Sequence, residues 1–318
     1  MVSRANRPQD AAPRRTVAIA GSSGLIGTAL VKHLRENGFR VIRLVRRAPT
    51  GPDEVTWDPA AHRLDPASLD GVHAVVNLAG AGIGDHRWTP RYKAELVSSR
   101  VDATATVVDT LLALDDGPRI LVNGSAMGYY GDRGDQELPE TASAGTGFIP
   151  DLVTRWEGEA QRAELDSGGA IRVAMTRTSL VMAPKGGAFG KLLPLLRLGL
   201  GGPLGDGKQW WSWITLADTV AAVEHLIEAD VRGPVNLASP SPTRNGELTR
   251  EIARAMNRPA LLPAPGFALR AAVGEFSSEI LTSARLRPEV LQRSGFDFLH
   301  ATPTDAARWL TTSADSSG

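Results

Sequence analysis

Cysteine is absent from the 318 residues, which excludes disulfides, thiolate metal sites and a cysteine nucleophile. Net charge is absent too: 35 Lys and Arg balance 35 Asp and Glu, so no global field draws the chain to nucleic acid or an anionic membrane. No apolar run approaches the length of a membrane span. The six histidines are widely scattered and no metal-ligand cluster is visible. Tyrosine is scarce. Only Tyr92, Tyr129 and Tyr130 occur, and Leu96, Arg133 and Gly134 stand four residues beyond them, so the chain has no Tyr-x-x-x-Lys. The first fifteen residues hold four arginines and no apolar core, which reads as a disordered basic tail rather than a signal peptide. These absences suit a cytoplasmic protein with a small-molecule substrate, no nucleic acid and no membrane partner; they leave the oligomeric state open.

What is present is a core-forming chain, 42% apolar, long enough for one large α/β domain with a smaller lobe. Its organising stretch is Gly21-Ser22-Ser23-Gly24-Leu25-Ile26-Gly27. The apolar run Thr16–Ala20 before it reads as a buried parallel strand, and Ile26, Leu30 and Leu34 after it as one face of a helix. Glycines at such a junction let the backbone turn sharply and let a pyrophosphate approach the helix N-terminus, where free N–H groups and the dipole attract anions. The Gly-x-x-Gly-x-x-Gly spacing departs from the usual dinucleotide fingerprint, and a tight turn without a ligand is its bland alternative.

Asn37-Gly38 stops the helix, and Arg40–Val45 is a second strand followed at once by Arg46 and Arg47. NAD enzymes place an acid here, about twenty residues past the glycines, for the ribose hydroxyls. Guanidinium groups in its place suit the 2′-phosphate of NADP; a solvated basic loop is the rival reading. Further strands are expected near Val55–Trp57, at Ala74–Gly80, at Arg119–Gly124 and at Ala170–Thr178. Helices are expected at Thr89–Leu114 and Ile149–Asp166, the latter with Leu152, Trp156, Ala160 and Ala163 on one stripe. Glu95 and Arg100 read from composition as solvated. This alternation predicts a Rossmann-like parallel sheet over residues 16–185 with helices on both faces, later segments returning to it.

Residues 186–310 read as a smaller C-terminal substrate lobe. The glycine-rich stretch 198–207 marks an irregular crossing into Gln209-Trp210-Trp211-Ser212-Trp213-Ile214, either a core anchor or a pocket wall. Leu216–Ala229 and Arg244–Asn257 read as helices, Val235–Ala238 as a strand, Pro263–Gly266 as a hinge-like break, the remainder as helical, and residues from Thr311 as a polar tail.

Together, Gly21–Gly27, Asn77–Ala81, Arg87-Trp88, Ser99-Arg100, Gly128–Gly131, Arg155–Glu157, Arg177-Thr178, Gly199–Gly207 with Gln209, Trp213-Ile214 and Ser294–Phe296 resemble an atypical branch of the extended short-chain dehydrogenase/reductases. That branch is the NAD(P)-binding epimerase-family proteins that end in a conserved domain of unknown function. The resemblance runs from about residue 15 to about 310 and implies a Rossmann fold that binds NADP (NADPH). It implies cofactor contacts from Gly21, Ser22, Ser23, Gly24, Leu25, Ile26, Gly27, Arg46, Arg47, Leu78 and Ala79. Glu95, Arg100 and Val181 come with it by alignment alone.

Typical members use a tyrosine whose pKa is lowered by a lysine four residues later. Alignment puts Leu152 and Trp156 at those positions, and neither relays a proton. The named substitutes are Ser125, although the strict alignment falls on Ala126, and Tyr130. A tyrosine without a nearby cation has a pKa near 10 and is a poor base, so a structural or gating role for Tyr129 and Tyr130 is the stronger alternative. His86, Lys93 and Glu157 are further ionisable candidates, read first as solvated or structural. The expected function is an NADP-dependent oxidoreductase or epimerase with a non-standard acid/base; the rivals are a non-catalytic NADP(H) sensor and a scaffold whose cofactor site has decayed.

Overall fold

The computed structural model describes residues 15–315. Seven parallel strands form the central sheet: β1 (Thr16–Ala20), β2 (Arg40–Val45), β3 (Glu54–Thr56), β4 (Ala74–Asn77), β5 (Ile120–Ala126), β6 (Arg172–Thr178) and β7 (Gly233–Leu237). Across the sheet they run β7-β6-β5-β4-β1-β2-β3, all in parallel register. The order reverses between β1 and β4, where Ala20 pairs with Asn77. In an open parallel sheet, the crevice at the carboxyl ends beside such a reversal is where ligands bind.

Apolar sequence explains the strands: Val17 to Ala20 are fully buried, as a strand covered by helices on both faces requires. Helix α1 (Leu25–Glu36) buries Gly27, Leu30, Val31 and Leu34 against the sheet. It stops as expected. Gly38 adopts φ +85°, its N–H bonds Arg35 O, and Phe39 N–H bonds Leu34 O, which is the Schellman pattern. The other face carries α2 (Pro90–Leu112) and α3 (Phe148–Asp166). All four residues of the expected α3 stripe are buried.

Element ends differ from expectation by a few residues. Thr89, for example, is the N-cap of α2, its side chain accepting from Tyr92 N–H at 3.1 Å, rather than its first residue. The expected strand Val235–Ala238 begins earlier, at Gly233, and forms the sheet edge.

The second lobe starts where Leu180–Met182 pairs in parallel with Trp213–Thr215. Helix α4 (Gly187–Arg197) and the irregular crossing follow, and Trp210–Trp211 pairs antiparallel with Thr243–Arg244. Helix α5 (Leu216–Glu228) returns to the first half and packs on α1. Trp211 and Trp213 are core anchors, buried with Phe189, Leu193 and residues of α6 (Asn245–Ala255). Trp210 instead lies half-exposed between the guanidinium groups of Arg244 and Arg285, 4.3 and 4.6 Å from its ring centroid.

One expectation is overturned. The polar tail from Thr311 is the end of a helix, Pro303–Asp315, that packs on α6 with Ala306, Ala307, Leu310 and Thr311 buried. Alanines carry its buried face, so its hydrophobic signal is faint. The basic-tail reading of residues 1–14 lies outside the described residues. Arg15 itself is ordered, its guanidinium bonded to Glu228 at 2.6 Å. Among the described residues no helix is long and apolar enough to cross a membrane, and no His/Asp/Glu group is placed to hold a metal ion.

Candidate functional site

The glycine loop turns at Gly21, φ +75°, directly beneath the end of β4. A Cβ on Gly21 would stand 2.5 Å from Leu78 O and 2.8 Å from Ala79 N, so Leu78 and Ala79 are in contact with the loop. The turn at Leu78-Ala79 is held by Asn77, whose buried side-chain carbonyl accepts from Ala79 N–H at 3.2 Å. Its amide donates to Asn123 Oδ1 and Thr104 Oγ1, tying β4 to β5 and α2. Gly24 caps α1 without any side-chain bond to the helix. The first N–H groups of α1 have no intrahelical partner, and Ser23 and Gly24 are exposed around them. That arrangement leaves donors facing the crevice for an anion.

The two arginines after β2 are not equivalent. Arg47 makes a bidentate pair with Glu54, 2.7 Å on each arm, and Arg43 donates to the same carboxylate. The bonds from Arg47 and from Thr50 N–H hold the Glu54 carboxyl well below the usual carboxylate range. Arg46 is exposed and has no hydrogen-bond or ion-pair partner among the described residues. Glu54 therefore anchors one guanidinium and leaves the other free.

Arg100 differs from its composition-based reading. It is not solvated: its guanidinium donates to Leu96 O at 3.0 Å and Ala81 O at 2.9 Å, and burial lowers its pKa. With Ser99, whose hydroxyl accepts from Ala81 N–H, it clamps the loop after β4. Glu95 is exposed on α2 with its carboxylate unpartnered among the described residues, and no contact joins it to the glycine loop. Val181 lies just past β6 and packs, like Leu78, against the core cluster of Ile19, Val76 and Ile214. Across the crevice mouth, the Leu25 side chain touches the turn at Gly186-Gly187.

Residues 17–238 match the NAD dependent epimerase/dehydratase family, and residues 264–310 match a domain of unknown function, DUF1731. The chain belongs to that epimerase/dehydratase family. It is 45% identical over 298 residues to the epimerase family protein Mb2239 of Mycobacterium bovis, covering 93% of this chain and 97% of the relative. It is 40% identical to ML0860 of Mycobacterium leprae, covering 95% and 97%. Among solved structures, the human epimerase family protein SDR39U1 (isoform 2) with NADPH superposes with a TM-score of 0.86 at 29% identity, covering 93% and 99%.

In this member of the epimerase family, Leu152 and Trp156, which the resemblance leads one to expect at the tyrosine and lysine positions, are wall residues. Leu152 and Trp156 are buried in one apolar cluster with Tyr92, Leu96, Ile149 and Val153, edged by Trp88, Ala126, Tyr129 and Phe148. Gly124 makes this possible, since a Cβ there would meet the Trp156 ring at 2.9 Å. Beside the wall lies a buried polar chain. Ser125 Oγ donates to Glu157 Oε1 at 2.6 Å, and Arg177 grips Glu157 through two bonds of 2.8 Å. Arg177 also donates to the Tyr130 hydroxyl at 2.9 Å, and that hydroxyl donates to Asn236 Oδ1 at 2.7 Å.

Ser125 and Tyr130 are thus linked, through Glu157 and Arg177, inside the core. Tyr130 has no exposed surface. Burial pushes its pKa to about 12 despite the nearby guanidinium. Glu157, read from sequence as solvated or structural, belongs to the second class. The readable signal for this network is Arg177 itself, a charge near the end of an expected buried strand, which demands a buried partner. Tyr130→Phe is expected to cost about 1–3 kcal/mol by leaving the Arg177 and Asn236 groups unpaired. Urea denaturation checks it. The stabilisation tied to the raised pKa is complete below pH 10, where the unfolded tyrosine is protonated, and disappears as pH rises through about 12.

Proposed function

We propose that this chain binds NADP(H) and uses it as an oxidoreductase or epimerase on a small polar substrate. The observation that carries the reading is the pairing of an uncapped glycine-loop helix with a free Arg46 at the end of β2. The loop N–H groups suit the pyrophosphate, Arg46 the adenosine 2′-phosphate, and Leu78, Ala79 and Val181 the flank of the coenzyme. The missing Cβ atoms at Gly21 and Gly27 belong to the same cradle. The human relative's NADPH supports this coenzyme. When bound, the reduced coenzyme supplies hydride to a carbonyl carbon of the substrate. Tyr130 we assign to the core network rather than to proton transfer, and Ser125 to a position held by Glu157.

Arg46→Ala is expected to weaken NADP binding by about 10–100-fold, the worth of a charge-assisted hydrogen bond, and to leave NAD binding unchanged. Arg47→Ala is expected to leave the preference for NADP in place. Calorimetry with both coenzymes decides; equal affinity of the unmodified protein for NAD and NADP removes the proposal. A second reading, a non-catalytic NADP(H)-responsive module, draws on the apolar Leu152 and Trp156 at the dyad positions. Transfer of label from 4-deuterated NADPH to any member of a broad carbonyl panel argues against it.

A further inference from the structure

Large apolar side chains standing singly on a surface are ordinary, but here they are gathered. Six of the eight that are exposed among the described residues, Leu195, Leu198, Leu200, Leu261, Leu262 and Phe267, come from two segments of the C-terminal lobe. Those segments touch. The glycine-rich crossing after α4 runs alongside residues 259–264: Ala264 N–H donates to Pro203 O and Gly205 N–H to Ala264 O, both at 2.9 Å. The glycines permit this approach, since a Cβ on Gly202 would stand 2.4 Å from Leu262 O and one on Gly199 3.8 Å from the Pro259 ring. Helix α7 (Gly266–Val273) follows at once and buries none of its residues. The result is one apolar face, with Leu198 71% exposed, Leu261 76% and Phe267 79%.

Charge is segregated on the same two segments. Residues 186–205 and 252–274 contain Lys191, Arg197, Arg254, Arg258 and Arg270, all exposed, and no aspartate or glutamate. The zero net charge of the whole chain conceals this local excess. Beside the leucines a depression of about 340 Å³ is lined by Arg250, Arg254 and Arg258, with Ala253, Asn257 and Ala260. Arg254 is paired with Glu251. The guanidinium groups of Arg250 and Arg258 have no hydrogen-bond or ion-pair partner among the described residues.

We propose that this face docks on an anionic lipid bilayer, the leucines and Phe267 entering the boundary between headgroups and acyl chains while the arginines stay among the phosphates. That departs from the expectation, drawn from net charge, that the chain has no membrane partner. Three features favour a bilayer over other occupants. The apolar anchors stand out from the surface, whereas those of a protein interface fill pockets. A second copy on a two-fold axis would set the five cations of one chain against the same five of the other, with no carboxylate from either segment between them. The depression, with its two unpaired guanidinium groups, suits the phosphate of a lipid headgroup, which accepts bidentate bonds. None of this depends on the coenzyme reading above.

The test floats the full chain with vesicles of phosphatidylglycerol and, separately, of phosphatidylcholine. Binding is expected to the first only, and to weaken as salt is raised. Arg250→Gln with Arg258→Gln is expected to weaken it by about 25-fold, about 5-fold for each arginine near the charged surface. Leu198→Ser with Leu261→Ser is expected to weaken it by about 10-fold or more, from apolar area that no longer leaves water. All four side chains are exposed, so both variants are expected to melt as the unmodified chain does. Failure to bind phosphatidylglycerol vesicles overturns the proposal. Binding that the leucine pair leaves unchanged also overturns it and assigns the attraction to charge elsewhere on the chain. A dimer in sedimentation equilibrium that Leu198→Ser with Leu261→Ser abolishes makes a second copy the occupant, which overturns it as well.

Discussion

Replacing Arg177 by methionine is expected to destabilise the fold by about 3–5 kcal/mol, the cost of stripping the partner from a buried charge. Arg177 is 3% exposed and Glu157 8%, so solvent cannot take over from either one. The guanidinium serves four groups at once: both oxygens of Glu157, the Tyr130 hydroxyl and Glu140 O, while stacking 3.5 Å over the Tyr129 ring centroid. Burial alone would lower its pKa, but the bonds to Glu157 and Tyr130 more than offset that, and the group stays charged. Methionine fills the stem volume and removes the charge, leaving the Glu157 carboxylate desolvated with only the Ser125 hydroxyl. Removing both charges, as Arg177→Met with Glu157→Leu, is expected to recover most of the loss, because a matched apolar pair avoids the desolvation cost. Urea denaturation with unchanged slope reads the difference. A single-variant loss below about 1 kcal/mol is the range of an exposed pair and sinks the claim that this network is dry.

The same residues show what was legible in the chain and what was not. Strands such as Val17–Ala20 announce themselves because each residue meets a covered face, and the glycine loop because its spacing interrupts them. The end of the last helix, from Thr311 on, escaped because its buried Thr311 and Ala314 offer little apolar area. The arginine pair was legible as a pair and no further. Its division depends on Glu54, seven residues beyond Arg47, coming alongside when β3 pairs with β2. Register of that kind is set by tertiary packing and leaves no local mark. Arg100 misled for the related reason that its partner, the carbonyl of Ala81, carries no side-chain signature. Polar groups meeting across distant segments, such as Glu157 with Arg177 or Asn77 with Asn123, are fixed only when the sheet order is fixed.

Gly27→Ala and Gly24→Ala are expected to fail in opposite ways, although both add one methyl group to the same loop. Position 27 is inside α1, where alanine is ordinarily favoured over glycine by about 0.5–1 kcal/mol. Here a Cβ would stand 2.2 Å from Gly21 O and 2.8 Å from the Ser22 Cα, and both are backbone atoms that cannot rotate away. The clash overrides the propensity, so Gly27→Ala is expected to cost about 1–3 kcal/mol or more in the absence of any ligand. At Gly24 the space inside the protein is adequate, the nearest atom being Gly21 O at 3.5 Å, and φ is −75°, open to any residue. Stability should fall there by no more than about 1 kcal/mol, the difference between glycine and alanine as an N-cap. The added methyl instead occupies the exposed approach to the N–H groups of α1, where a phosphate oxygen has to come within about 3 Å. Thermal melting with and without NADP separates the two, since a ligand that binds only the folded state raises the midpoint. Gly24→Ala should melt near the unmodified protein alone and lose its response to NADP; Gly27→Ala should melt low under both conditions. A Gly24→Ala protein that still responds fully places the pyrophosphate somewhere other than the N-terminus of α1.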